Sequence, residues 1–439
     1  MATVKISNIR KSRLDIEAGN QDYLVLAGGG VEVGAGNAIW ERAGVSFTSF
    51  GIDGTVSTDA RASFAIFSEG RDGHWVVGAH GRVSGGSGLY FSGDGTDLVN
   101  KGDIRASGQS GVWFDSGRHD LGNEGEIVAK AGIALGAQAG FVEVANGGMM
   151  SGKVGIYAED ADLTIGNGLN GVIKGSQAGI WSTSQAGAVI DNAGVISSPG
   201  WAMLLGSGRD RVINQGTIDG QADLGGGNDV FIQKDGVFQG YLFMGGGHDR
   251  FVFEGGDFQS PLPGPTWIRG GKGDDVYDTA NLYVLCVEAK NGGHDTQYSA
   301  LLTMLRDNIE DLVLTGVYNI SGEGNGLANA LTGNSGRNYL AGHDGNDRID
   351  GGGDDDTLSG DGGKDVFIFR DAFGNDMILD WTNGVDRIDL SGVAGIDSFA
   401  DLAGAFSDTG TGVLITIGAE TINVWGAALA DLDASDFIF

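Results

Sequence analysis

One cysteine and four prolines in 439 residues exclude two architectures at the outset. A lone Cys286 cannot form an intrachain disulfide framework, and its apolar run YVLCVE marks a buried thiol. Glycine is abundant at 82 residues, but without proline it signals repeated turns rather than a collagen-like helix. Basic residues are scarce, 27 against 58 acidic ones, leaving a net charge of −31 and a pI near 4.3. That balance argues against phosphate, and no nucleic acid is expected as a partner. The six histidines are scattered singly and no HExxH zinc helix is present. No apolar run at the front resembles a signal peptide and none later reaches transmembrane length. Helical spacing of apolar residues is missing too. Disorder is nonetheless excluded, because 41% of the residues are hydrophobic and they recur with clear periods.

The sharpest period is nine. Residues 324–368 read as five tandem nonapeptides, GNGLANALT, GNSGRNYLA, GHDGNDRID, GGGDDDTLS and GDGGKDVFI. Position six holds Asn329, Asn338, Asp347, Asp356 and Asp365; position eight holds Leu331, Leu340, Ile349, Leu358 and Phe367. Glycine supplies the turn, and the following x-apolar-x triplet is a very short strand with its apolar side chain inward. One half-turn cannot bury a core, so two repeats make a coil and coils must stack. Stacking sets Asp347 against Asp365 and Asn338 against Asp356. Bare carboxylates in such a stack repel, and a hard cation taking many oxygen ligands is needed between them, which calcium satisfies. These repeats closely resemble the RTX family, whose nonapeptides bind calcium in a parallel β-roll. The candidate calcium ligands here are Asn338, Gly342, Asp344, Asp347, Gly351, Asp354, Asp356, Gly360, Gly362 and Asp365. Eight acidic residues between 342 and 365 face only Arg348 and Lys364, so the segment should expand without metal.

A longer period governs residues 30–220. The pattern Asn-x-Gly-x-apolar recurs at Ile104, Ile127, Met150, Ile173, Ile196 and Ile218, in steps of 23, 23, 23, 23 and 22. A second apolar anchor follows at Ile39, Ile66, Leu89, Val112, Ile133, Ile156, Ile180 and Met203. Two anchors drifting in parallel mark a solenoid, and strand-length pieces split by Gly, Asn and Asp mark it as a parallel β-helix. Asn100, Asn123, Asn146, Asn192 and Asn214 should stack as a hydrogen-bonded ladder. Leu169 stands where the next Asn is expected, predicting an irregular coil there. The residue after the second anchor is Trp40, Phe67, Tyr90, Trp113, Ala134, Tyr157, Trp181 and Leu204. If the anchors point inward, alternation puts the six rings outside as a stripe on which sugars could stack. The alternative is that the rings lie in the core or under a loop.

Nonapeptide-type loops also appear once per coil at 206–212, 225–231, 245–251 and 270–277, placing Asp210, Asp229, Asp249 and Asp275 at position six. Asp229, Asp249 and Asp275 are further candidate calcium ligands. Pro261, Pro263 and Pro265 suggest an inserted loop. Residues 275–333 are similar to a spacer-plus-repeat unit of RTX proteins, and 375–391 resemble the segment closing the roll in serralysin-like proteases. The end of the chain, DLDASDFIF at 431–439, resembles the C-terminal export signal of type I secreted RTX proteins. The resemblance implies a type I secretion apparatus as partner and an extracellular location, where weak calcium sites are filled.

The expected fold is therefore all-β, a right-handed parallel β-helix of about 23 residues per coil running into a calcium-bound β-roll. The expected division is a cap at 1–30, β-helix at 31–220, β-helix with calcium loops and spacer at 221–320, roll at 321–370, and closing segment with export signal at 371–439. Two functions remain open: an extracellular adhesin, matrix or polysaccharide-binding protein, or a secreted glycan lyase, hydrolase or epimerase. For the enzyme the chain offers Asp115, Arg118, His119 and Asp120 in one loop and Glu159, Asp160 and Asp162 in another, but short regular coils leave little material for a cleft.

Overall fold

A computed structural model describes all residues except 1, 18–20, 46–48, 62 and 261–265. The three-proline stretch at 261–265 lies outside the described residues. The described chain is all-β apart from three short 3-10 turns. It divides into two compact units, one of Met1–Gly245 with Glu254–Thr266, the other of Gly246–Phe253 with Trp267–Phe439.

The first unit is a parallel β-solenoid of about 23 residues per coil. The anchors at Val56, Val83, Ile104, Ile127, Met150, Ile173, Ile196 and Ile218 lie in register on successive strands, all buried. The second anchors stack likewise, with one correction. Val112 pairs with Leu135 and Leu135 with Ile156, so the inward residue of that coil is Leu135 rather than Ile133. The coil is two residues longer before its anchor and two shorter after it, which the spacing alone hid. In the early coils Phe50, Trp75, Phe91 and Phe114 stack face to face or edge on inside the wall, with centroids 4.6 to 5.6 Å apart, filling the axis with ring area.

The asparagine ladder is continuous. Each Nδ2 donates to the Oδ1 one coil on, from Asn100 through Asn123, Asn146, Asn167 and Asn192 to Asn214, at 2.7–2.8 Å, and Asn214 donates to Gln233 Oε1 at 3.0 Å. The coil expected to break it does not. Asn167 supplies the rung, set six residues before Ile173 instead of four, and the surplus is looped out so that Leu169 is 85% exposed. Replacing Asn146 by Ala removes a rung whose two neighbours have no water to turn to. We expect a loss of roughly 2–5 kcal/mol in unfolding free energy; a change below about 0.5 kcal/mol, the size of an ordinary surface substitution, would show the ladder to be ornamental.

In the second unit the position-eight residues separate onto two parallel ladders. Leu312, Leu331, Ile349, Phe367 and Ile388 stack on one, and Gly322, Leu340, Leu358, Ile378 and Val424 on the other. Alternate repeats thus fall on opposite walls, two nonapeptides to a coil. An antiparallel hairpin, Gly412–Ile417 with Glu420–Trp425, continues the second ladder. Phe437–Ile438 joins the first beside Arg387–Gly392, with Phe437 packed against Phe399 and Phe406.

Candidate calcium centre

The turns of the roll carry a buried row of carboxylates. In each coil the backbone N–H at position six donates to Oδ1 of the position-six residue one coil on: Asn329 to Asp347 at 2.7 Å, Asn338 to Asp356 at 2.7 Å, Asp347 to Asp365 at 2.9 Å. The row continues where no glycine hexad remains, Asp356 N–H to Asp376 at 2.8 Å and Asp365 N–H to Asp386 at 2.9 Å. Asp376 and Asp386 escaped the sequence reading because it keyed on glycine. The surviving signal was the triplet itself, Asp376-Met-Ile and Asp386-Arg-Ile.

One oxygen per carboxylate is left over. Oδ2 of Asp347, Asp356 and Asp365 is buried and accepts no hydrogen bond. Each lies over the first glycine of its own repeat, so that a Cβ at Gly342, Gly351 or Gly360 would overlap it. Burial is the main cause pushing these acids up from the usual carboxylate range, Asp347 and Asp356 to about 7 and Asp365 to about 6. A buried, unpaired acceptor facing a side-chain-free turn is what an oxygen-ligated cation fits, and carboxylate donors suit calcium.

The first two repeats are built differently. Asn329 and Asn338 turn Oδ1 toward their own first glycine, where it accepts the position-two N–H of Asn325 (2.7 Å) and Asn334 (2.8 Å). Their amide nitrogens donate to backbone carbonyls one coil back, Asn329 to Ile309 and Glu310, Asn338 to Ile320. In the acidic repeats position two instead has positive φ, at His343 (72°), Gly352 (93°) and Asp361 (58°), and no N–H reaches Oδ2. Amide turns are closed by their own hydrogen bonds; carboxylate turns are left open. Asn338, expected as a calcium ligand, thus has both side-chain atoms engaged.

The other expected ligands divide by depth. Gly342, Gly351 and Gly360 line the buried row. Asp344 and Gly362 are exposed and pair with each other's strands at the rim. Asp354 is also exposed, and Arg337 Nε lies 3.3 Å from its Oδ1. Asp229 and Asp275 have the same placement as the roll acids, accepting the N–H of Asp210 at 2.7 Å and of Asp249 at 2.8 Å, and Asp229, Asp249 and Asp275 are all buried.

Residues 332–367 match the family model of the RTX calcium-binding nonapeptide repeat in four copies. No curated protein matches the chain. Among solved structures the extracellular lipase LipA from Serratia marcescens is similar at 18% identity, over 54% of this chain and 41% of the lipase chain, with a TM-score of 0.20. This chain therefore spans about two fifths of that structure's length. Fold and repeats together define a calcium-binding β-solenoid of the RTX type. Its RTX repeats bind Ca2+, and the buried carboxylate row has the donors for it.

Proposed function

We propose that the chain works outside the cell as a calcium-folded solenoid that binds extracellular polysaccharide along its first unit. In the roll, Asp347, Asp356 and Asp365 hold the calcium ions. Export by a type I apparatus precedes folding, with 431–439 as the recognised segment. Phe437 is buried against the roll, so that segment is free to be read only while the chain is unfolded.

The observation that carries the glycan reading is the outer ring column. Trp40, Phe67, Tyr90 and Trp113 occupy the same register on successive strands, and Tyr157 and Trp181 resume it two coils on. Their strand neighbours are fully buried and they are not, so the rings stand on the outside of the wall. Phe67 and Tyr90 lie parallel at 4.8 Å, and the Trp113 indole covers Gly136, the residue that replaces Ala134 in the column. On the same unit three shallow hollows share lining residues from one to the next. One is lined by Arg105, Ser107, Val128 and Lys130, the next by Val128, Lys130, Lys174 and Pro199, the third by Lys174, Pro199 and Gln221. Among the described residues Lys130 and Lys174 make no ion pair, which leaves two cations available in the hollows of a chain of charge −31. A column of rings and a trough carrying lysines on one unit suit a carboxylated glycan.

The enzyme reading gains nothing from the 115–120 loop. His119 is buried and stacked on Phe114 at 4.4 Å, its Nε2 held by the Ser116 carbonyl at 2.6 Å, while Arg118 is drawn to Glu143. Affinity electrophoresis of the calcium-loaded protein in uronic-acid and neutral polysaccharides tests the proposal. Retention by the acidic gels is expected, weakened about 5- to 30-fold in Trp113→Ala or in the Lys130→Ala/Lys174→Ala pair, as losing roughly 1–2 kcal/mol of contact predicts. Retention unaffected by these variants, or release of new reducing ends, would reject it.

A further inference from the structure

We propose that Asp275, Glu288 and Asp295 form a calcium site of their own, outside the tandem repeats, with Glu288 reaching it from the spacer that follows the 270–277 loop. One oxygen from each lies within 4.8 Å of the others. Oxygens on opposite sides of one calcium ion stand about 4.6–5.2 Å apart, so a single ion can bridge the set.

Two of the three acids are aimed at this place without a partner. Asp275 is 1% exposed and Asp295 0% exposed, and Oδ2 of each accepts no hydrogen bond. Their Oδ1 atoms are spent on the ladder, accepting the N–H of Asp249 and of Asp275, both at 2.8 Å. Glu288 is fixed by its other oxygen, Oε2, which accepts Gly271 N–H at 3.0 Å, while Tyr277 Oη donates to Oε1. The space is kept open by one residue. A Cβ at Gly270 would overlap Asp275 Oδ2, Glu288 Oε1 and Tyr277 Oη together, so these three atoms converge over a backbone without a side chain. Among the described residues no Lys, Arg or His pairs with Asp275, Glu288 or Asp295.

Three carboxylates drawn out of water with no counter-ion cost several kcal/mol each. A divalent cation removes that cost at one stroke, and an all-oxygen donor set selects calcium over softer metals. The site differs from those of the roll in its third ligand. There the turn offers one free carboxylate oxygen per repeat; here a glutamate thirteen positions after Asp275 closes the shell, so no nonapeptide match finds it.

The proposal is independent of the glycan reading, and calcium stoichiometry tests it without any polysaccharide. Calcium bound to the full chain is counted by equilibrium dialysis, and terbium(III) added in its place is excited through tyrosine. Glu288→Gln and Gly270→Ala are each expected to bind one ion fewer than the parent while keeping its β content in saturating calcium. Tyr277→Phe should keep the stoichiometry but remove the tyrosine-sensitised terbium emission. Asp365→Asn, which touches only the roll, should leave that emission in place. An unchanged ion count in both Glu288→Gln and Gly270→Ala would overturn the site. If those two variants do not fold, terbium emission that survives Tyr277→Phe overturns it, and emission lost with Tyr277→Phe supports it.

Discussion

Stripped of calcium at pH 8, the roll should lose its β content, and it should regain it either on adding calcium or on lowering the pH to about 5. The reason is the sign of the shifts. Burial raises Asp347 and Asp356 to about 7, Asp365 to about 6 and Asp376 to about 8, well above the ordinary carboxylate range. A group whose pKa is raised by folding binds its proton more tightly in the folded state. Its stability is fully present below the unfolded pKa and is lost as pH rises through the folded one. The metal-free roll thus loses this stability as pH rises from about 4 to 8 and is most at risk above about pH 8. A domain's margin is only about 5–15 kcal/mol, so several raised carboxylates in one roll weigh heavily against the metal-free fold. Calcium takes over the protons' task above that window, so metal affinity and pH must trade against each other. Exposed acids such as Asp355 and Asp433, held low by hydrogen bonds, begin to oppose only at much lower pH. Far-UV circular dichroism with chelator at pH 5 and pH 8 checks this. Equal β content at pH 8 with and without calcium would remove the coupling of metal to folding. The Asn-laddered coils should keep their order throughout, because amides need no ion to neutralise them.

What could be read from the chain follows from which interactions repeat. The apolar anchors recur because every coil needs one inward residue at the same angle, so Ile104 to Ile218 declared the β-helix by spacing alone. The roll was legible for the same reason, since Leu331, Ile349 and Phe367 must share a wall and Leu340 and Leu358 the other. Compensating shifts were not legible. Asn167 and Leu135 each sit two residues off the expected phase, and only strand pairing shows that the neighbouring loop absorbs the difference. In the site, the spacing placed Asp347 beside Asp365, but it grouped Asn338 with the acids because amide and carboxylate have one shape. Which of the two closes the turn depends on a hydrogen atom and on the φ of the residue four positions earlier. Glu288 and Asp295 were hidden for another reason: they reach Asp275 from a spacer with no period of its own.

Exchanging amide for carboxylate should therefore move calcium dependence along the roll. In Asn338→Asp the new oxygen would face the Ile320 carbonyl and Asn334 Oδ1, which now accept from Nδ2 at 3.0 and 3.2 Å. Two donors are lost and a buried charge meets two acceptors, a destabilisation of roughly 3–5 kcal/mol in chelator. Calcium should return part of it by neutralising the new carboxylate, while the Asn334 N–H still closes on the oxygen over Gly333. The reverse exchange, Asp365→Asn, supplies an amide but not the negative-φ turn that lets position two close on it, since Asp361 stands at 58°. It should lower the number of bound calcium ions without making the turn self-sufficient. Melting curves of the two variants with chelator and with calcium give four numbers. The expected pattern is a calcium-induced gain in melting temperature larger than the parent's for Asn338→Asp and smaller for Asp365→Asn. Gains equal to the parent's in both would mean that the identity of position six does not set where calcium is required.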